Sequence, residues 1–519
     1  MPASENNHDC KTDYKVGQDN VQLMGLDVHN PVFVIAATTI VLFVVFSLVF
    51  QERAAEIFSA ARSWTTMQLD WLFMMSANIF VLLCLYLIVS PYGKIRIGGP
   101  DAKCHYSYPS WFAMMFAAGV GIGLMFYGVL EPVTHSLNPP LGVSAENGEV
   151  VASLGVVSAV YHWGLHAWAT YAVVGLSLAL FHYNKGLPLT VRSAFYPLLG
   201  ERIWGWPGHI IDILAVFATL FGLATSLGLG AQQTSAGLNY LFDIPNSSST
   251  QVIVIIGITA IALVSVVRGM DKGVKILSEI NMGMAVALML FVIAVGPTWS
   301  ILADTANNTI AYLSYLPALS NWIGREDTAF LHDWTTFYWA WWVAWSPFVG
   351  MFIARVSRGR TVREFLIAAL LVPTSVGMIW MTTFGGTAID QYLYEGYTGV
   401  ADAVNNSEIE LALFKFLEVL PFSEITSALG IVLVIVFFVT SMDSGSLVID
   451  TITAGGKIDA PVTQRIFWCT FEGLVAIALM LGGGLAALQA ASLATGFPFV
   501  LVLLVMCVSL LRGLKSELP

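Results

Sequence analysis

The sequence predicts an all-α membrane protein with twelve transmembrane helices. Of its 519 residues, 57% are hydrophobic and only 11% are charged, whereas about 25% of the residues in soluble domains are charged. Apolar runs long enough to cross about 30 Å of hydrocarbon recur along the whole chain. We place their cores at 31–51, 71–91, 108–130, 151–183, 208–240, 250–268, 276–299, 332–356, 363–386, 425–445, 463–483 and 489–511.

The basic residues support this count, because Lys and Arg collect in the cytoplasmic loops of membrane proteins. If the N-terminus is inside, most of the 23 basic residues fall on the cytoplasmic side, including the cluster at 355–363. The outer loops then hold only Arg53, Arg62, Arg325 and Lys415. A miscounted helix would place the cluster outside. The sequence therefore predicts a multi-pass protein of the bacterial inner (plasma) membrane with both termini in the cytoplasm.

Composition argues against several other kinds of protein. The formal net charge of −11 lies mostly in tails and outer loops, so it does not favour a nucleic-acid partner. The five cysteines show neither paired nor metal-ligand spacing. His162 and His166 stand four residues apart on one predicted helix, but a third metal ligand is not evident, and we expect them to pack or form hydrogen bonds. No cofactor is predicted.

The third helix contains alternate glycines, Gly119, Gly121 and Gly123. Glycines in a membrane helix often allow close packing against a neighbouring helix. They also weaken the helical backbone, so that an unwound segment could coordinate a cation through free carbonyls and let a ligand approach. The pattern leaves both interpretations open.

Aromatic residues are dense in the fourth and eighth helices. The fourth contains Trp163, Trp168 and Tyr171, and the eighth contains Trp341, Trp342 and Trp345 just before Pro347. Aromatic residues of membrane helices usually lie in interfacial belts, but these tryptophans lie well inside the eighth helix. Indole rings attract a cation to their faces, so a cage of them suits a quaternary ammonium, which cannot donate a hydrogen bond.

The tenth helix carries Thr440 and Ser441 near its inner end, followed by Asp443. Such hydroxyls often bond back to the carbonyl four residues earlier and do nothing else. They could also act as oxygen ligands of a small cation. Asp443 lies near the membrane boundary, where a structural role is the more common one for an acidic residue.

These segments, with Ser-Pro-Tyr-Gly-Lys at 90–94 and Trp-Ser-Pro-Phe-Val-Gly at 345–350, resemble the betaine/carnitine/choline transporter family from about residue 25 to the end. The resemblance implies a LeuT-type inverted five-helix repeat preceded by two extra helices. The implied divisions are a disordered cytoplasmic tail (1–30), two extra helices (31–107), a first repeat (108–300), a periplasmic connecting segment (301–331), a second repeat (332–512) and a short cytoplasmic tail (513–519).

The resemblance also implies roles for individual residues. Trp163, Trp168, Tyr171 and Trp342 match the family's substrate cage, and Trp341 and Trp345 match the cytoplasmic part of its pathway. We also expect Gly119, Gly121 and Gly123 to bind the substrate, because the exposed backbone amides of the third helix could receive its carboxylate. The carbonyls of Ala117, Val120 and Phe437 and the hydroxyls of Thr440 and Ser441 match a Na⁺ site. Thr219 and Phe348 match part of a second Na⁺ site, in which Leu223 replaces a further hydroxyl.

The expected function is a symporter that imports a quaternary-ammonium solute, glycine betaine or a similar zwitterion, coupled to Na⁺ by alternating access. A proton-coupled choline transporter stays open, since such carriers also lack the hydroxyl that Leu223 replaces. The fifth helix has no Lys or Arg to stand in for a cation, which argues against the family's ion-independent exchanger. A membrane-embedded enzyme or a passive channel would need a catalytic cluster or a filter motif, and we find neither. The chain is thus not expected to be an enzyme. Because homotrimers are common in the family, a homotrimer is the oligomer that the resemblance implies.

Gly123 bears on the charge of the substrate. Family members that prefer choline tend to have an aspartate at this position, which would offset the net positive charge of choline. Gly123 offers no such charge. We therefore expect a zwitterion such as glycine betaine to outcompete choline.

Overall fold

The computed structural model describes residues 12–23, 25–117, 121–268 and 271–518. Within these ranges the chain is almost entirely helical, and a short antiparallel hairpin of strands β1 (Asn20–Leu23) and β2 (Leu26–His29) precedes the first helix. The helices are α1 (Val32–Val49), α2 (Gln51–Val89), α3 (Tyr108–Ala117), α4 (Ile122–Leu137), α5 (Gly148–Trp163), α6 (Leu165–Ala179), α7 (Tyr196–Leu199), α8 (Trp206–Phe242), α9 (Ser248–Arg268), α10 (Asp271–Val295), α11 (Thr298–Ser320), α12 (Thr336–Val356), α13 (Val362–Met381), α14 (Thr387–Leu393), α15 (Gly399–Asn405), α16 (Ala412–Glu418), α17 (Ser423–Thr453), α18 (Val462–Leu481) and α19 (Gly484–Lys515).

Twelve helical segments correspond to the twelve predicted spans. In the part of the chain that the structure describes, ten helical stretches are long and apolar enough to cross a membrane. The interrupted pair α3 and α4 makes an eleventh span. The twelfth is α12, whose 21 residues give a length of about 30 Å. The prediction of an all-α membrane protein with twelve spans is confirmed.

Two of the predicted continuous helices are interrupted. In the third span α3 is described to Ala117 and α4 begins at Ile122, directly after Gly121, whose backbone is extended (φ −158°, ψ −159°); residues 118–120 lie outside the described residues. The fourth span is interrupted at Gly164 (φ −101°, ψ −130°), which separates α5 from α6. A Cβ at Gly164 would lie 2.6 Å from the carbonyl oxygen of Val160, so only glycine fits this bend.

A long helix occupies most of the predicted connecting segment (301–331). This helix, α11, spans 23 residues and packs against α5. The hydroxyl of Tyr312 accepts a hydrogen bond from the amide of Leu165 (3.3 Å), and Ser153 donates to the side chain of Asn308 (2.8 Å). The connecting helix therefore supplies a partner to an amide that the interruption at Gly164 leaves free.

The expectation of a disordered tail over residues 1–30 is wrong for its second half. Residues 20–29 form the hairpin, in which Gly25 adopts a positive φ of 81°. Asn20 donates to the carbonyl of Ala454 (3.0 Å), and Asp27 pairs with Lys457 (2.5 Å) in the loop between α17 and α18. Residues 1–11 lie outside the described residues. Polar side chains that looked like a solvated tail in sequence instead hold the hairpin on this loop.

His29 shows how closely the hairpin packs. Its side chain is fully buried and lies 5.3 Å from the ring of His209. Burial, helped by the nearby charge of Arg192, lowers the pKa of His29 to about 3, so the imidazole is neutral at ordinary pH. Because His29 is neutral, the hairpin can bury this side chain against the rest of the protein without burying a charge.

Candidate functional site

Four aromatic rings from three helices form a continuous buried cluster. Trp342 of α12 lies 4.8 Å from Trp163 at the end of α5, with an interplanar angle of 71°. It also lies 6.1 Å from Tyr171 of α6, which in turn lies 5.4 Å from Trp168. All four side chains are buried, and the three contacts are edge-to-face, a preferred arrangement of aromatic pairs. The structure thus brings the four residues predicted for a cation cage together, with Trp342 at the centre.

Trp341 and Trp345 extend this cluster toward α8. The ring of Trp341 stacks on Trp342 at 4.8 Å and 14°. The indole nitrogens of Trp341 and Trp345 both donate to the carbonyl oxygen of Gly222, at 3.2 Å and 2.9 Å. These two rings are therefore held by hydrogen bonds to the α8 backbone. α12 continues as a helix through Pro347 to Val356.

Two glycines of the third span, Gly121 and Gly123, have different surroundings. A Cβ at Gly123, in the first turn of α4, would overlap the indole ring of Trp163. A Cβ at Gly121 would meet nothing within 4 Å, and Gly121 lies in the interruption between α3 and α4. Of the two interpretations of these glycines, close packing explains Gly123, and a non-helical backbone explains Gly121. Gly119 lies outside the described residues.

The residues predicted for the first ion site come from two segments. Phe437, Thr440 and Ser441 lie on α17, and the others belong to the third span. The Thr440 hydroxyl donates to the carbonyls of Val436 (3.0 Å) and Phe437 (3.1 Å), and Ser441 is half-buried beside it. A Cβ at Gly230 of α8 would lie close to both Phe438 (2.9 Å) and Ile122 (3.2 Å), so the start of α4 approaches this part of α17. Of the remaining predicted ligands, Ala117 ends α3 and Val120 lies outside the described residues.

The second predicted ion site lacks a ligand in the structure as it does in the sequence. The Thr219 hydroxyl is buried and donates to the carbonyl of Ala215 (2.8 Å). Leu223, one turn later, packs so tightly against Gly445 of α17 that no Cβ would fit there. Phe348 packs its ring against Trp345 at 5.4 Å. An apolar side chain thus occupies the position where a further hydroxyl would be needed.

Sequence analysis missed Glu131, which lies directly behind the aromatic cluster. Its side chain is fully buried, and its Oε2 accepts hydrogen bonds from Trp163 Nε1 (2.9 Å) and Tyr338 Oη (2.5 Å). Its Oε1 lies 2.5 Å from His162 Nδ1. The hydropathy pattern ends the third span near residue 130, whereas α4 continues to Leu137. The signal was present, since an ionisable residue inside a membrane helix is rare and usually functional.

Comparison with known proteins identifies the family. The family profile described as "BCCT, betaine/carnitine/choline family transporter" matches residues 31–519. The chain belongs to the betaine/carnitine/choline transporter family. It is 58% identical over 98% of its length to a "Glycine betaine/proline/choline transporter" of Vibrio parahaemolyticus, of which it covers 94%. It is 55% identical over 98% of its length to "Glycine betaine transporter 1" of the same organism, of which it covers 97%.

More distant matches include one sequence relative and one solved structure. A "Glycine betaine transporter" of Acinetobacter baylyi is 43% identical over 94% of this chain, which covers 74% of that protein. Among solved structures, a manganese transporter of Eremococcus coleocola aligns with 80% of this chain and 90% of its own at 13% identity and a TM-score of 0.36. The family assignment makes this chain a membrane transporter and not an enzyme. The architecture of two inverted repeats preceded by two helices, with repeat boundaries at 108–300 and 332–512, stays a prediction.

Glu131, His135 and His162 form the one group of potential metal ligands in the described part of this transporter, with ligand atoms within 4.8 Å of one another. Two ligands that each lie about 2.0–2.2 Å from one ion are about 3 Å apart or more. The 2.5 Å separation of His162 Nδ1 from Glu131 Oε1 is therefore that of a hydrogen bond. His166, on the other side of the interruption, bonds instead to Asn78 (3.0 Å). The two histidines do not converge on a metal, and both form the hydrogen bonds that we expected.

The contact between Gly123 and Trp163 leads to a testable consequence in this transporter. Gly123→Ala forces Trp163 to move, and overpacking of this kind costs about 1–3 kcal/mol. We expect a lower melting temperature of the detergent-purified protein and a shifted tryptophan emission. Gly377→Ala on α13 is the matched control, because a Cβ there meets nothing within 4 Å. Equal melting temperatures and spectra for the two variants would contradict the packing described here.

Proposed function

We propose that this transporter imports glycine betaine or a similar zwitterion, coupled to Na⁺, by alternating access. The observation that carries the proposal is the buried cluster of Trp163, Trp168, Tyr171 and Trp342. A methylated ammonium cannot donate hydrogen bonds and binds where several aromatic faces lie within about 6 Å of its charge. The names of the Vibrio and Acinetobacter relatives support the same class of substrate.

The described arrangement places a limit on where the ammonium binds. Trp163 and Trp342 are in direct contact, with ring centroids 4.8 Å apart, so a trimethylammonium group does not fit between them. Tyr171, 6.1 Å from Trp342, leaves more room. The ligand would thus contact the faces of Trp342 and Tyr171 that the cluster leaves free, or separate the rings as it binds. Separation of rings on α5, α6 and α12 would connect binding to helix movement.

The ion and the orientation are parts of the same proposal. Na⁺ would replace the hydrogen bonds that Thr440 makes to Val436 and Phe437 with contacts to its hydroxyl and to the Phe437 carbonyl. The distribution of Lys and Arg supports cytoplasmic termini in a bacterial inner membrane. We also propose a homotrimer, as is common among relatives.

The decisive experiment is uptake of radiolabelled betaine and choline into proteoliposomes, with an inward Na⁺ gradient or a proton gradient alone. We expect Na⁺-driven betaine uptake that collapses with the Na⁺ gradient, and betaine to outcompete choline, because Gly123 leaves the cage without an acidic side chain of its own. Uptake driven only by protons, with choline preferred, would refute this function and support the proton-coupled choline carrier.

Trp342→Ala should weaken betaine binding by at least tenfold, and Trp168→Ala by less. Trp342 contacts several rings of the cluster whereas Trp168 lies at its end, and each desolvated ring contributes roughly 1–2 kcal/mol to a bound ammonium. Trp342→Phe should recover part of the loss. Isothermal titration of the purified protein measures these affinities. Trp299→Ala is the control, since Trp299 is exposed on α11; an unchanged affinity in Trp342→Ala and Trp168→Ala would place the cage elsewhere.

The double variant Thr440→Ala, Ser441→Ala should lose Na⁺ dependence or transport altogether, because both hydroxyls would be ion ligands. Initial uptake rates over a range of Na⁺ concentrations test this. Thr451→Ala is a matched control on the same helix, as its hydroxyl makes only the bond to the Leu447 carbonyl (2.8 Å). If the double variant kept the Na⁺ response of the control, the two hydroxyls would have a structural role alone.

A further inference from the structure

We propose that Glu131 is a counter-charge behind the aromatic cage that allows this transporter to bind a net cation such as choline in addition to a zwitterion. The inference rests on the proposed function, since it concerns the selectivity of the same cage. It begins from the three hydrogen bonds of Glu131, a buried carboxylate that is not among the predicted site residues.

The first step is the position of Glu131. Its Oε2 accepts from the indole nitrogen of Trp163 (2.9 Å) and from the hydroxyl of Tyr338 (2.5 Å). The rings of both residues face Trp342, at 4.8 Å and 5.6 Å. The width of one ring, measured in its plane from the hydrogen-bonding edge, thus separates the carboxylate from the centre of the cage. A ring whose N–H or O–H donates to a carboxylate is also polarised toward greater negative charge, which favours a cation on its face.

The second step is the net charge of the group. In the described part of the chain, Glu131 forms ion-pair contacts with histidines and with no Lys or Arg. The Thr335 hydroxyl lies 2.9 Å from His162 Nε2 and can donate to it. A neutral His162 with its proton on Nδ1 donates to Glu131 (2.5 Å). Both carboxylate oxygens then accept hydrogen bonds without a second positive charge, and these donors favour the ionised form of Glu131. With Glu131 ionised and the histidines neutral, the group carries a charge of −1.

The third step is how the charge acts on different ligands. Glycine betaine carries its own carboxylate, so its net charge is zero, whereas choline is a net cation. A fixed negative charge separated by about 8 Å in a medium of effective dielectric constant about 20 strengthens the binding of a net cation by roughly tenfold or more. The same charge attracts the ammonium of betaine and repels its carboxylate, so the two effects largely offset. Glu131 therefore acts on the ratio of choline to betaine affinity.

Glu131 also positions the cage. The carbonyl of His162 accepts a hydrogen bond from Trp342 Nε1 (2.8 Å), so the carboxylate holds Trp163 and Tyr338 directly and Trp342 through His162. A merely structural role would change the affinities for both ligands in parallel. The counter-charge changes their ratio, and this separates the two roles.

The test is titration of choline and glycine betaine into the purified full-length protein and into Glu131→Gln. We expect the variant to lose roughly tenfold more affinity for choline than for betaine, and Glu131→Asp, which keeps the charge, to restore the ratio. A parallel loss for both ligands, or no loss, would overturn the inference. So would unmodified protein that binds betaine but no choline, whereas unmodified protein that binds neither would overturn the proposed function itself.

Tyr338→Phe gives an independent measurement that does not require Glu131→Gln to fold. The phenylalanine keeps the ring and removes one donor from Glu131 Oε2, so that more of the negative charge acts on the cage. We expect the affinity for choline to rise relative to that for betaine by a few-fold. A ratio that is unchanged or shifted toward betaine in this variant would also overturn the inference.

Discussion

Within the hydrocarbon layer a backbone amide that leaves a helix cannot bond to water, and this constraint explains where the spans of the protein are interrupted. The fourth span is interrupted at Gly164, next to Trp163 of the aromatic cluster, and the backbone of the third span is extended at Gly121, two residues before Gly123, which contacts Trp163. At Gly164 the released amide of Leu165 bonds to the hydroxyl of Tyr312 on the connecting helix α11. The bend ends α5 at Trp163, so the indole can lie against Gly123 and reach Trp342. The local cost of breaking a helix is thus offset by a specific partner.

The polar groups behind the cluster follow the same constraint. Buried side chains with hydrogen-bonding capacity need partners, because an unpaired polar group in an apolar interior is destabilising by several kcal/mol. Glu131, His162 and Thr335 satisfy one another and fix two rings. A rigid set of aromatic faces is useful for a ligand that offers no hydrogen bonds from its ammonium group, since shape and charge alone must position it.

Hydropathy and basic residues predicted the twelve spans, and the resemblance of the aromatic motifs to the family predicted the four rings that the structure brings together. Three features were not predictable in this way. The break at Gly164 depends on a tertiary contact with Tyr312, which local sequence does not contain. The importance of Glu131 depends on α4 extending past Pro132, although Pro inside a helix usually signals its end. The hairpin at residues 20–29 lies within the predicted N-terminal tail, and its order comes from contacts with a loop more than 400 residues later, such as the bond from Asn20 to Ala454.

The turn of α8 at Gly222 connects α12 with α17. Its carbonyl holds the indoles of both Trp341 and Trp345, and the next residue, Leu223, is pressed against Gly445 of α17. One turn of α8 therefore contacts α12 through two hydrogen bonds on one side and packs against α17 on the other. A shift of the helix with the aromatic side chains relative to the helix with Thr440 would distort or release this turn. The turn thus provides a direct physical connection between α12 and α17.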